Sequence, residues 1–130
     1  MEKNIVVIAH DRKKPVLSDF LKEREQWLID RTILATGRTA EFIEKSESKL
    51  QIKHLSPGRS GGYKEITKLI TEGNVQLVFF FHDPEVEYAY HPDIRELMDT
   101  CIESDVPLAL NGKSAEMLII GLIRMELASK

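Results

Sequence analysis

The sequence predicts an α/β fold of the doubly wound class: a parallel sheet of five strands with helices on both faces. Three observations carry this. Short, unbroken apolar runs alternate with longer segments of helical periodicity. Successive runs are separated by enough chain for a crossover, which parallel strands require and which puts helices on both faces of the sheet. Glycine, hydroxyl and charged residues gather just after the runs, as they do where strands end at the ligand-binding rim of such sheets.

Each element follows from its own pattern. Asn4–His10 ("NIVVIAH") is continuous, β-branched and apolar, the mark of a strand covered on both faces. Between Lys13 and Leu28 the apolar residues Val16, Leu17, Phe20, Leu21 and Leu28 fall at helical spacing, with charges opposite. "RTILAT" (31–36) makes a second strand that Gly37 ends, and Ala40–Lys45 reads as a helix. "LQIKHL" (50–55) is a short third strand. An amphipathic helix follows over Tyr63–Glu72 and stops at Gly73. Val75–Phe81 ("VQLVFFF") is the most apolar strand, and its three phenylalanines belong to the core. A loop holding Asp83, Pro84, His91 and Pro92 leads to a helix over Asp93–Ser104. "VPLALN" (106–111) gives the fifth strand, and a last helix runs from Ser114 to about Leu127.

Composition narrows the function. A chain of 130 residues can bury one proper core, and the expectation is a single domain over 1–130. A net charge of −3 argues against a nucleic-acid binder working through a broad basic face. The first residues, "MEKNIVVIAHD", turn charged after one short apolar run, so neither a signal peptide nor a membrane span is expected. One cysteine, Cys101, forms no internal disulfide; with this, the cytoplasm is the expected compartment.

The chemistry-bearing residues lie where the strands end. His10 and Asp11 close the first strand, with Lys14 one turn further on; Thr36, Arg38 and Thr39 follow the second. After the third comes "HLSPGRSGGYKE", in which Ser56, Gly58, Arg59, Gly61 and Gly62 lead to Tyr63. His82 and Asp83 follow the fourth strand, and Asn111, Gly112 and Ser114 the fifth. Helix starts that offer free N–H groups, hydroxyls and the cations Lys14 and Arg59 compose an anion cradle, with carboxylates and His10 beside it for proton transfer. The plainer reading of the same residues is N-caps and turn formers, and Asp93 has such a use at the positive end of a helix. His82, Asp83 and His91 match no recognised ligand spacing, so no metal is expected.

Several separated motifs, "IVVIAHDRKK", "LATGRT", "LSPGRSGG", "EGNVQLVFFFHDP", "HPDIRELMDTC" and "VPLALN", occur in an order and spacing that resemble the methylglyoxal synthase family across nearly the whole chain. The resemblance implies a flavodoxin-like sheet, a homohexamer, no cofactor, and conversion of dihydroxyacetone phosphate to methylglyoxal and inorganic phosphate. It places His10, Asp11 and Lys14 at the first-strand site, with Lys14 on the phosphate, and matches Thr36 and Thr39 to threonines that contact it. Arg38 replaces a further threonine. Ser56 and Gly58 stand for the family's "SGP" loop, although this chain reads "SPG" with one residue more before the glycine pair. Asp83 and Asp93 match two family carboxylates.

Two departures open a second reading. Tyr63 stands where the family has the aspartate that removes the carbon-bound proton, and Tyr90 where it has a histidine on the substrate oxygens, with His91 one position later. A tyrosine, with an ordinary pKa of about 10, is a poor base at neutral pH unless a cation such as Arg59 or Arg38 lowers it. The enzyme reading gives the base to Asp11, Asp83 or Asp93 and polarisation of the carbonyl to His10 or His91. The alternative is a binding domain that keeps the phosphate pocket and holds a phosphorylated metabolite without chemistry.

Overall fold

The computed structural model describes residues 3–129. Its five strands are β1 (Asn4–Ala9), β2 (Ile33–Thr36), β3 (Ile52–Leu55), β4 (Val75–Phe81) and β5 (Leu108–Ala109). All pairings are parallel, in the order β3-β2-β1-β4-β5. The doubly wound α/β class expected from the sequence is therefore the one found. Growth of the sheet reverses between β1 and β4, and a ligand crevice belongs at the carboxyl ends of those two strands.

The period of two along β1 divides the core. Ile5, Val7 and Ala9 face one side with Phe79 and Phe81 of β4, while Val6 and Ile8 face the other with Phe80. The first side is covered by α1 (Lys14–Glu23), α2 (Glu25–Leu28), α3 (Gly37–Lys45) and α6 (Gly112–Ala128), through residues such as Leu17, Phe20, Leu28, Ile43 and Ile119. The second is covered by α4 (Gly62–Thr71) and α5 (Pro92–Glu103), through Ile66, Ile70, Ile94 and Leu97. This is why β1 and β4 read as continuous apolar runs: both of their faces lie under helices.

Element boundaries depart most from the sequence pattern at α1, α3, β5 and α6. The helix expected over 13–28 is preceded by a 3-10 turn over Asp11–Lys13 and broken at Arg24 (φ −118°, ψ 19°), whose guanidinium donates to the Phe20 carbonyl and lies 4.2 Å over the Phe20 ring. Helix α3 begins at Gly37, three residues earlier than expected, because β2 runs straight into it and the Gly37 N–H finds the Ser56 carbonyl at 3.3 Å. β5 keeps only two of its six expected residues; it is an edge strand, and Pro107, which cannot donate a ladder bond, precedes it. Helix α6 starts at Gly112, ahead of Ser114, capped by Asn111, whose side-chain oxygen accepts from the Ser114 N–H at 2.9 Å. Among the described residues no helix is long and apolar enough to cross a membrane.

Candidate active site

A cavity of about 440 Å³ opens at the carboxyl ends of β1, β2 and β3, lined by Ala9, His10, Asp11, Lys14, Thr36, Arg38, Thr39, Pro57, Gly58, Arg59, Ser60, Tyr63 and Tyr88. Three cations and one carboxylate are among these residues, so its field favours an anion. Its floor is the end of β1. The Ala9 carbonyl accepts from Lys14 Nζ at 2.8 Å, and the Ala9 N–H donates to Thr39 Oγ1 at 3.3 Å. Thr36 Oγ1 lies 3.2 Å from Thr39 Oγ1. Lys14 is only 8% exposed although charged. Pro15 at the start of α1 sets the helix entry, and Asp11 Oδ1 accepts the second Lys14 bond at 2.8 Å. That bond holds the Asp11 carboxyl below its ordinary range. Arg38 stands 4.0 Å from the same carboxylate.

The segment between β3 and α4 supplies the wall. Ser56 is turned away from the cavity: its N–H and Oγ both bond the Glu65 carboxylate, at 3.0 and 2.6 Å. Pro57 begins a 3-10 turn over Gly58–Ser60, and the Pro57 carbonyl accepts from the Ser60 and Gly62 N–H groups. Gly61 sits at φ 113°, in the left-handed region where a side chain would be strained. The Tyr63 ring lies flat over Gly58, where a Cβ would come within 2.7 Å of the phenol oxygen, and it stacks on Phe80 with ring centroids 5.9 Å apart. Burial pushes the Tyr63 pKa up to about 12, with Tyr88 adding to the effect and Arg59 opposing it. Tyr63 is thus a neutral phenol, unable to serve as a base at neutral pH. The Arg59 guanidinium stacks 3.7 Å over the Tyr88 ring.

His10 is 4% exposed and holds its proton in a defined place. The Asp83 backbone N–H donates to His10 Nδ1 at 2.8 Å. A backbone N–H can only donate, so Nδ1 is unprotonated and the ring proton sits on Nε2. Nε2 is buried and has no hydrogen-bond partner among the described residues. Burial, with the neighbouring His82, lowers the His10 pKa from 6.5 to about 4, which keeps the ring neutral at pH 7.

Of the residues expected at the site, His10, Asp11, Lys14, Thr36, Arg38, Thr39, Gly58, Arg59 and Tyr63 line one cavity. Gly61 and Gly62 shape its wall, while Ser56, Asp83, His91 and Asp93 lie outside the lining. Asp83 is 1% exposed and gripped by Arg12 Nε and Nη2 at 2.6 and 2.8 Å. That grip holds its carboxyl well below the usual range, so it does not take up a proton near neutrality. His91 caps α5 by accepting the Asp93 N–H on Nδ1 at 3.1 Å, and Asp93 pairs with Lys64 at 3.5 Å. Tyr90, which replaces the histidine that the resemblance puts on the substrate oxygens, is exposed at the surface, its ring tilted against His82 and away from the lining. Sequence reasoning missed Pro57 and Tyr88 in the lining and Arg12 and Glu65 behind it. Pro57 lay inside the quoted loop; Tyr88 gave no signal of its own.

A family model described as the MGS-like domain matches residues 18–110. A methylglyoxal synthase of Borreliella afzelii is 40% identical over 122 residues, which are 94% of this chain and 95% of that protein. One of Acholeplasma laidlawii is 39% identical over 115 residues, 88% of this chain and 93% of that protein. The crystal structure of methylglyoxal synthase from Elizabethkingia anophelis matches with a TM-score of 0.80 at 26% identity, covering 90% of this chain and 76% of that one. With relatives this similar over nearly its whole length and the same fold in a solved one, the chain belongs to the methylglyoxal synthase family.

Proposed function

We propose that the protein is a lyase that converts dihydroxyacetone phosphate to methylglyoxal and inorganic phosphate in the cavity at the end of β1, with Asp11 as the base. The observation that carries this is that Asp11 is the one carboxylate in the described lining and shares that lining with Lys14, Thr36, Thr39 and a neutral His10.

The phosphate group sits against Lys14 Nζ, the hydroxyls of Thr36 and Thr39 and the first-turn N–H groups of α3, with Arg38 and Arg59 at the mouth. These donors are fixed before substrate arrives, so little reorganisation is needed on binding. Asp11 takes a proton from the hydroxymethyl carbon next to the carbonyl. Lys14, bonded to the carboxylate, depresses the Asp11 pKa. A phosphate dianion draws that cation to itself and adds negative charge nearby, and both effects raise Asp11 toward the range a base needs. His10 Nε2–H donates to the carbonyl oxygen as the enediolate forms. One such donor, aimed where charge develops, is worth about 3 kcal/mol in the transition state. The proton of the hydroxymethyl oxygen passes to the oxyanion, and the electron pair freed there expels the phosphate: the carbon–oxygen bond of the ester breaks, its pair leaves with the phosphate oxygen, and the remaining enol gains a proton at carbon and gives up its hydroxyl proton to become methylglyoxal. Elimination requires the ester bond to stand across the enediolate plane, and donors that fix the phosphate serve that orientation. Tyr63, a neutral phenol, donates a hydrogen bond and removes no proton.

The same reading places the protein in the cytoplasm as a homohexamer, and the exposed apolar residues Met117, Ile120 and Met125 of α6 are available for subunit contact. The test incubates purified protein with dihydroxyacetone phosphate and measures phosphate and methylglyoxal together. Equal amounts of the two products are expected. No product above buffer, with heat protection by the phosphate ester retained, would leave a binding domain in place of a lyase.

A further inference from the structure

We infer that Arg12 is a positioning residue: it anchors the Asp83 turn whose backbone N–H holds His10 in the tautomer that donates from Nε2. The inference rests on the lyase reading for its kinetic consequence, but its structural half stands apart from it. Arg12 lies in the 3-10 turn after β1, and Asp83 follows β4, so the pair ties together the two loops that flank the point where the sheet reverses. The grip is a fork: Nε to Oδ2 at 2.6 Å and Nη2 to Oδ1 at 2.8 Å. Asp83 Oδ1 also accepts the Glu85 N–H at 3.1 Å, and Glu85 Oε2 accepts from Arg12 Nη2 at 2.8 Å. The Asp83 peptide is thereby fixed from its side chain and from the residue two positions on, and its N–H meets His10 Nδ1 at 2.8 Å.

Neither Arg12 nor Asp83 lines the cavity. Their use lies in what they impose on the imidazole. A buried carboxylate deprived of its cation is costly, and it relaxes by taking a proton or by moving its turn. Either change loosens the N–H held on His10 Nδ1. The ring is then free to carry its proton on Nδ1, which leaves Nε2 an acceptor with nothing to offer a developing oxyanion. The fork geometry explains arginine at this position: a lysine supplies the charge but only a point contact, and fixes the Asp83 carboxylate less firmly.

The test uses the full chain as wild type, Arg12→Gln and Arg12→Lys. Imidazole nitrogen NMR reads the His10 tautomer, and steady-state kinetics with dihydroxyacetone phosphate read kcat and KM separately. Wild type is expected to show the Nε2–H tautomer. Arg12→Gln is expected to show both tautomers, with kcat lower by about 10–100-fold and KM within about threefold, and Arg12→Lys to fall between. A wild-type ring protonated on Nδ1, or an Arg12→Gln protein with wild-type tautomer and kcat, overturns the inference. If wild type makes no methylglyoxal the lyase reading fails, and the NMR spectra decide this inference alone by the same two outcomes. If Arg12→Gln does not fold, Arg12→Lys carries the test: intermediate values support the inference and wild-type values overturn it.

Discussion

A histidine buried as a neutral ring leaves a signature in the pH dependence of stability, and His10 gives it a size. In the unfolded chain the ring takes a proton near pH 6.5; in the fold it resists until about 4. Between those values the unfolded state binds the extra proton, so the contribution of His10 to stability is fully present above pH 6.5 and is lost as the pH falls toward 4. Linkage converts the full window to roughly 3 kcal/mol, of which about 2 kcal/mol has gone by about pH 5. The slope through the middle of the window is about 1.2 kcal/mol per pH unit. Asp83 acts separately: its depressed pKa gives stability that is present above the ordinary carboxylate range and lost only at lower pH. Urea unfolding at a series of pH values from 7.5 to 4, on wild type and His10→Gln, isolates the effect, because glutamine can accept the Asp83 N–H without titrating. The difference between the two proteins should shrink by about 2 kcal/mol between about pH 7 and pH 5. Parallel curves for the two would show that His10 titrates as an ordinary histidine, and the neutral donor assigned to it would go with that result.

Other substitutions probe the walls of the cavity. Gly58→Ala places a methyl group on the Tyr63 ring and is expected to cost about 1–3 kcal/mol in urea unfolding; most of that loss should disappear in a Tyr63→Leu background, as a double-mutant cycle will show. Lys14→Gln removes the buried ammonium from the phosphate site, and inorganic phosphate, followed by calorimetry, should bind at least about tenfold more weakly at unchanged fold. Tyr63→Phe removes a donor but no base, so turnover should fall by about tenfold or less.

The parts of the structure legible in the sequence are those set by local pattern. β1 and β4 were readable because residues such as Val7 and Phe80 lie under helices on opposite faces, which leaves Ile5–Ala9 and Leu77–Phe81 without a polar position. The rim was readable because chain topology forces every strand end to one edge, so His10, Thr36 and Arg59 had to be neighbours. What local pattern could not give was contact at long range. Arg12 and Asp83 are 71 residues apart, and nothing in either segment marks the other as its partner. Without that pair Asp83 reads as a free carboxylate and a candidate base. The place of Asp93 at a helix start was evident, but its pairing with Lys64 of the facing helix was not. The break at Arg24 was hidden because apolar spacing continues through it to Leu28, and only the arginine's own bond to the Phe20 carbonyl ends the first segment. Tyr63 was legible as a departure from the family, and burial then settled its protonation against the cation beside it.

Whether Asp11 removes the carbon-bound proton is tested most directly by following that proton. Dihydroxyacetone phosphate in deuterated water is mixed with excess wild type or Asp11→Asn, and a single turnover is followed by proton NMR at the hydroxymethyl carbon alongside phosphate release. Wild type should lose the proton and release phosphate, while Asp11→Asn, with phosphate binding intact, should slow both by at least about 100-fold. Proton loss and phosphate release at the wild-type rate in Asp11→Asn would contradict the assignment.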